Sequence, residues 1–499
     1  MLWLMHRLAR GDVMYRDAYN VTTPVAAWLG ALSVRVTGTQ LAVLRALVAV
    51  SFTLQVLLGL SVVRRCGLAV PGCVVFAGAL LAIGSPLVAF TNLYTSLATL
   101  GALAALRAII WWDDRRAAHA STAAPLVAIG AACSFAFWSK PNVGLLTTGA
   151  VVVALVVRTA QDRRRTLPEL ATMGVGALGV SVVVAVPIAA TGAWSAFVDQ
   201  VFLSKLQYLD IGYSYPSAIR DRVDKVLHGT QTDLRSVLRL AIMATPVIVA
   251  VVVARAWSRN RRSVGGRGFA LVAFACAGLA SVFPRPGVNH FVATMPLTLA
   301  ATVGMWTVAR RERTVRTCSR AASAAAALAV AIGVSVVSVD SVLAYANTRA
   351  THDFERFEIT PIRRGLEARM ARLRAGIEAN TDGRVFIARD DAGFLYFATG
   401  ARDPLPYDMV QRADLGSGGE RAVISRLERG DARFVCLHPP RPPRDDASPL
   451  LPRTLERWVR NHYTLVASFP ACDLYREVSG SNTSPRASLD GTDPLGEAI

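Results

Sequence analysis

The chain has 499 residues, of which 53% are hydrophobic and 18% charged, with a mean hydropathy of +0.38. That composition excludes a disordered chain and an ordinary soluble domain, because it supplies many apolar runs long enough to cross a hydrocarbon core of about 30 Å. The net charge of +19 raises nucleic acid as a partner, a reading that depends on where the charge sits.

In chain order, "MLWLMHRLAR" is too short and too basic for a spanning helix or a signal peptide. A charged, aromatic loop follows at 11–24, "GDVMYRDAYNVTTP". Val21 to Gly38 then mixes apolar residues with Thr, Ser and Arg35 and reads as an amphipathic helix at the membrane interface, so that 1–39 form an outer loop and interfacial helix. Hydropathy gives about ten spans within 40–343, at 40–63, 67–87, 94–111, 122–138, 142–158, 168–191, 237–255, 268–283, 290–308 and 321–343. The spans 122–138 and 142–158 are short and Ala/Val-rich, and fit a re-entrant hairpin as well as two crossings. No internal repeat is evident.

Alternate connections carry the arginines: Arg64 and Arg65, Arg115 and Arg116, Arg158 with Arg163 to Arg165, five between Arg255 and Arg267, and five between Arg310 and Arg320. These eighteen Arg face five acids (Asp113, Asp114, Asp162, Glu169, Glu312), so most of the net charge lies in one set of loops. This is the positive-inside pattern, and nucleic acid is not needed to explain the charge. The Arg-poor connections 87–94, 139–142, 192–236 and 284–290 are therefore outside, with the loop at 11–24 and everything after 343. An outer first loop requires a crossing before it, so an eleventh helix is expected upstream of Met1.

From about 344 the composition becomes soluble. Leu366, Met370, Leu373 and Ile377 have helical spacing, "NTDG" reads as a turn and "RVFIA" as a strand. "GERAVISRLERG" reads as a helix ending at Gly430, "RFVCL" as a buried strand, "LERWVRNHY" as a helix and "TLVASFPACDLYRE" as two closing strands. Residues 344–477 are thus a small extracytoplasmic α/β domain, and 478–499 a disordered tail. Of the seven Cys, only Cys436 and Cys472 share that domain; a disulfide and two buried thiols on neighbouring strands are equally compatible with the sequence.

Four groups of residues can carry chemistry on the outer side. Asp17, beside Arg16, suits a general base toward a hydroxyl, or a loop carboxylate paired with its neighbour. Lys140 in "FWSKPN" is one of only three Lys, with Lys205 and Lys225, against 51 Arg. All three Lys lie on the outer side, and a compact ammonium suits a lipid phosphate as readily as it suits snorkelling to the interface. Arg285 and His290 in "FPRPGVNHF" occupy a short stiff connection suited to an anionic head group or to interface anchoring. In 192–236, Asp199, Gln200, Lys205, Tyr208, Asp210, Tyr213 and Tyr215 suit a sugar or an aromatic belt. No Walker loop, Rossmann fingerprint, HExxH or CxxC is present at usable spacing, which leaves soluble nucleotide-sugar and ATP chemistry unsupported.

The run "ARGDVMYRDAYNVTTPVAAWLGALSVRVTGTQLAVLRAL" resembles the first outer loop of polytopic GT-C glycosyltransferases, the superfamily of protein O-mannosyltransferases, lipid A aminoarabinose transferases and related bacterial membrane enzymes. "AFWSKPNVGLL" resembles that group's Lys-Pro/Gln-Asn segment, and "FPRPGVNHFVATMPL" its Arg-Pro…His…Pro segment; the similarity runs in order over about 1–310. The resemblance implies inverting transfer of a sugar from a polyprenyl-phosphate donor to a cell-envelope lipid, glycan or protein at the outer face of a bacterial inner membrane. It places Asp17 as base and Tyr15, Arg16, Lys140, Lys205, Tyr208, Tyr213, Tyr215, Arg285 and His290 around the substrates. Where many members carry a second acid, this chain has Asn92, so no cofactor and a reaction without metal are expected. The rival classes are a transporter or lipid flippase, which usually shows repeated halves and mid-span charges, and a non-catalytic envelope-assembly partner.

Overall fold

A computed structural model describes residues 1–39, 41–90, 92–159, 163–204, 215–216, 219–220, 223, 266–283, 288–311, 348–350, 361–363, 366–439 and 451–478. The expected spans 237–255 and 321–343 and the tail beyond 478 lie outside the described residues.

Eight of the ten expected spans are helices: α3 (Leu41–Arg65), α4 (Val70–Phe90), α5 (Leu93–Ala117), α6 (Ala123–Ser139), α7 (Pro141–Thr159), α8 (Arg163–Ala190), α10 (Gly266–Ala280) and α11 (Val288–Arg311), with the short α9 (Trp194–Val198) between α8 and α10. Among the described residues, five of these helices are long and apolar enough to cross a membrane, namely those over 42–65, 93–117, 141–159, 166–190 and 290–308. α5 forms the centre of the bundle. Ala98, Ala102, Leu103, Leu106 and Ile110 are buried against residues of its neighbours such as Phe274, Leu297 and Ala301. Small residues let these helices approach closely, as expected where lipid removes any hydrophobic drive to associate. Gly130 on α6 and Gly176 on α8 show this reciprocally: a Cβ on the first would strike the Met173 carbonyl, and on the second the Val127 carbonyl.

The arginine-bearing helix ends gather at one end of the bundle. Arg158 and Arg267 reach Asp113 at 3.2 and 3.1 Å, Arg65 reaches Asp114 at 3.2 Å, and Arg116 reaches Glu169 at 3.1 Å. α5 runs from the opposite end to this one, so its first turn, near Asn92, marks the Arg-poor end.

The first segment folds as α1 (Leu2–Ala9), a loop and α2 (Val25–Thr37). α2 buries Ala26, Ala27, Gly30, Ala31 and Val34 while Leu32 and Val36 stay exposed.

In the C-terminal domain the elements read from the sequence occur in that order, with a further helix over 392–399. A four-stranded sheet has strand order β3-β4-β6-β5, with β3 (Phe386–Ile387) parallel to β4 (Phe434–Leu437), and β6 (Cys472–Glu477) antiparallel to β4 and to β5 (Tyr463–Phe469). α12 (Leu366–Asn380), α13 (Ala392–Thr399), α14 (Gly419–Glu428) and α15 (Arg453–His462) accompany it, and β1 (Thr348–Ala350) pairs with β2 (Pro361–Arg363) beside it. Cys436 and Cys472 form a disulfide with Cα atoms 5.6 Å apart, which resolves the alternative left open above. The domain is not a pendant. Leu2, Met5, Val48 and Leu97 share one buried cluster with Leu373, Ile377, Tyr396 and Leu474, and Trp3 stacks on Tyr396 at 5.4 Å. α1 is thus packed between α2 and α13.

Candidate functional site

The loop at 11–24 is built around backbone constraints. Tyr15 has φ of 71°, rare for a residue with a side chain, and its conformation is over-determined. Its N–H donates to Ala18 O at 2.8 Å, its hydroxyl to Thr22 O at 2.8 Å, and its carbonyl accepts from Gln200 Nε2 at 2.7 Å. Gln200 Oε1 accepts from Asn20 N–H at 3.0 Å, so this buried amide clamps the loop to the segment after α9.

Asp17 belongs to the same scaffold. Its carboxylate accepts the Val13 N–H at 2.8 Å and pairs with Arg16 at 2.9 and 3.0 Å. The Arg16 hydrogen bond, opposed by slight burial and helped by Val13, holds this acid below the usual carboxylate range. Arg16 is mostly exposed and Tyr15 is buried with its ring on Phe197 at 5.2 Å. Tyr15 lines a small crevice with Asp12, Trp28 and Arg35, and neither Asp17 nor Arg16 lines the cavity that holds Lys140 and His290.

A cavity of about 500 Å3 lies at the Arg-poor end. Lys140 and His290, 150 positions apart in sequence, both line it, together with Tyr94, Asn142 and Asn20. The local sequence explains the first. Ser139 ends α6, Lys140 is extended (φ −157°, ψ 109°) because the following Pro disfavours a helical conformation there, and Pro141 opens α7 where no amide donor is needed. The Lys140 ammonium lies 5.6 Å from the Tyr94 ring centre. Asn142 donates to Ser281 O and Phe283 O, each at 2.9 Å, and so ties α7 to the turn after α10. His290 sits in the first turn of α11. Three helices, α5, α7 and α11, therefore begin at this wall, and their N-terminal ends carry partial positive charge.

Apolar side chains complete the walls: Leu4, Leu145, Val201, Phe202, Val282 and Phe283. Tyr215 stands behind them, 6.4 Å from the Phe283 ring and 6.0 Å from that of Phe291. Lys205, Tyr208, Tyr213 and Arg285 lie outside the described residues.

The outer wall comes from the loop after α13, which supplies Asp408, Met409 and Asp414. Tyr19 N–H donates to Pro406 O at 2.7 Å and the Tyr19 and Tyr407 rings meet at 5.2 Å, pinning this loop to the first one. Sequence reasoning did not single out Asp408 or Asp414. The only local signal is the acid- and Pro-bearing stretch "RDPLPYDMVQRAD" between two helices, and its partners lie hundreds of residues away. Among the described residues, no three His, Cys, Asp or Glu side chains group closely enough to hold a metal ion.

No protein-family profile and no curated protein matches the chain. Among solved structures, the Archaeoglobus fulgidus oligosaccharyltransferase in complex with Zn and sulfate matches with a TM-score of 0.50 at 12% identity, over 88% of this chain and 63% of its own. The same organism's oligosaccharyltransferase AglB, in complex with an inhibitory peptide and a dolichol-phosphate, matches at TM-score 0.47 and 11% identity, over 88% of this chain and 64% of its own. ArnT from Cupriavidus metallidurans bound to undecaprenyl phosphate matches at TM-score 0.41 and 14% identity, over 95% and 92% of the two chains. The chain spans less than two thirds of the length of the archaeal enzyme. These neighbours are GT-C superfamily membrane glycosyltransferases, in keeping with the resemblance read from the sequence, and at such identity the likeness is one of fold.

Proposed function

We propose that this chain is an inverting glycosyltransferase that takes a sugar from a polyprenyl-phosphate donor in the cavity at its Arg-poor end. One observation carries the reading: Lys140, His290 and the N-terminal ends of α5, α7 and α11 meet at the wall of a single, largely apolar cavity. A phosphate on a prenyl chain needs both features at once. Positive ends and an ammonium stabilise the charge that grows on the leaving phosphate, and the apolar wall receives isoprene units.

In this reading Lys140 and His290 hold the donor phosphate, and Arg285 is a further phosphate contact. Tyr94 and Asn142 orient the Lys140 corner, and Tyr208, Tyr213 and Tyr215 flank the sugar or lipid path. Asp17 and Arg16 fix the loop that frames the acceptor side. The acceptor hydroxyl attacks the anomeric carbon opposite the phosphate, and single displacement inverts that centre. Positioning and fixed charge supply most of the acceleration, because the phosphate is already a good leaving group. The Arg-rich bundle end faces the cytoplasm of a bacterial inner membrane, so the cavity and the outer domain work on an envelope acceptor outside.

The test is transfer of labelled sugar from a mixed polyprenyl-phosphate-sugar pool by the full chain in proteoliposomes, comparing wild type with Lys140→Ala. Transfer that Lys140→Ala reduces supports the reading. Absence of transfer together with unassisted lipid movement between leaflets would replace it with a flippase.

A further inference from the structure

The cavity's outer wall holds an acid that the first loop does not provide. Asp408 has a nearly buried side chain, 12% exposed, with one oxygen 3.4 Å from an Arg7 guanidinium nitrogen. Its other oxygen, Oδ2, is buried and has no hydrogen-bond partner among the described residues. The backbone holds the residue still: Gly393 N–H donates to Asp408 O at 2.8 Å, Val410 N–H to Arg389 O at 2.9 Å, and Tyr19 N–H to Pro406 O at 2.7 Å. An acid so fixed, lining the same cavity as Lys140 and His290, has one oxygen uncommitted.

We propose that Asp408 is the proton acceptor for the incoming hydroxyl. The inference rests on the glycosyl-transfer reading above and adds the group that reading lacks. In the step, an acceptor oxygen lone pair forms the bond to the anomeric carbon while the carbon–oxygen bond to phosphate breaks. Polyprenyl phosphate leaves with that electron pair, the hydroxyl proton passes to the Asp408 carboxylate, and solvent takes it afterwards.

The charges around Asp408 suit the role. Arg7 faces it from α1, Asp12 from the first loop and Asp403 from its own loop, while Lys140, His290 and Asp414 share the cavity. Burial pushes the Asp408 carboxyl up to about 6, with Arg7 pulling the other way. A base poised there is charged at neutral pH and still accepts a proton, as general-base catalysis prefers. Asp17 is the contrast, held low by Arg16 and absent from the cavity wall.

The experiment compares wild type, Asp408→Asn, Asp408→Glu and Asp17→Asn as full chains in proteoliposomes, reading kcat across pH and, separately, the thermal shift produced by undecaprenyl phosphate. Asp408→Asn is expected to lose about a hundredfold or more in kcat with the undecaprenyl phosphate shift retained, in line with general-base contributions of about 10² to 10⁴. Asp408→Glu restores part of the rate, Asp17→Asn loses less than about tenfold through its loop, and the wild-type rate falls about tenfold per pH unit below about 6. A residual Asp408→Asn rate lacking that acid limb supports the inference. Full activity of Asp408→Asn, or a loss with the acid limb unchanged and no rescue by Glu, overturns the inference and leaves glycosyl transfer standing. No transfer by wild type and no shift with undecaprenyl phosphate overturns both.

Discussion

Arg7 and Asp408 lie 401 positions apart, yet an Arg7 N–H donates to an Asp408 carboxylate oxygen at 3.4 Å. The same guanidinium donates to Asp12 at 2.6 Å and to the Asp17 carbonyl at 2.5 Å, and lies 3.8 Å from Asp403. One side chain therefore joins α1, the first loop and the C-terminal domain beside Asp408 in the cavity wall.

Arg7→Met is expected to lower the melting temperature sharply. Removing one partner of a buried ion pair typically costs about 3 to 5 kcal/mol, and here several acids lose the same partner. It also removes a charge that lowers the Asp408 pKa, so the acid limb of transfer moves to higher pH. Melting curves and pH–rate profiles check the two effects.

Lys140→Ala and His290→Ala are each expected to weaken undecaprenyl phosphate binding about ten- to a hundredfold, the range for losing a charge-assisted hydrogen bond of about 1.5 to 3 kcal/mol. Lys140→Arg recovers part of it. Binding isotherms in nanodiscs give the comparison, and unchanged affinity in both Ala variants would remove these residues from the phosphate site.

Much of this architecture was legible in the sequence. The helices over the expected spans could be read because about twenty apolar residues are needed to cross lipid, and the gathering of Arg at one end of the bundle because Lys and Arg concentrate in one set of connections. Ser139, Lys140 and Pro141 mark the break between α6 and α7 through the conformational limits on Pro and its predecessor. The strands bearing Cys436 and Cys472 could be read too, although whether the thiols pair depends on sheet register. The cavity's outer wall could not. Asp408 sits in a loop with no periodicity, and Arg7 and Tyr19 meet that loop only when the C-terminal domain packs on α1. Asp17 shows the reverse limit: a motif position marks a loop without saying where its carboxylate turns, and here it turns to Val13 and Arg16.

Gly130→Leu and Gly176→Leu are expected to destabilise the bundle by about 1 to 3 kcal/mol or more, because backbone rather than a flexible side chain occupies the space. The loss reads out as lower melting temperature and lower abundance in detergent. A neighbouring change at Gly174, where a Cβ meets nothing within 4 Å, provides the reference.

Stability is expected to fall as pH rises through the weakly acid range. Burial holds Asp403 well above, and Asp408 at about 6 against, an ordinary value of 3.8, so between those values the folded chain keeps protons that the unfolded chain releases. Fewer protons on the unfolded state means that raising pH favours unfolding there. Melting temperatures from pH 4.5 to 8 measure the slope, and Asp403→Asn flattens it; a wild-type profile that rises over this window would show that these acids are ionised in the fold.

The most direct measurement is transfer of a radiolabelled sugar from polyprenyl phosphate to membrane acceptors by the purified full chain, with Lys140→Ala alongside. Transfer by wild type that the variant lacks, at equal insertion and abundance, is the expected result. Wild-type protein that inserts, folds and transfers nothing from any donor in the pool would contradict the account.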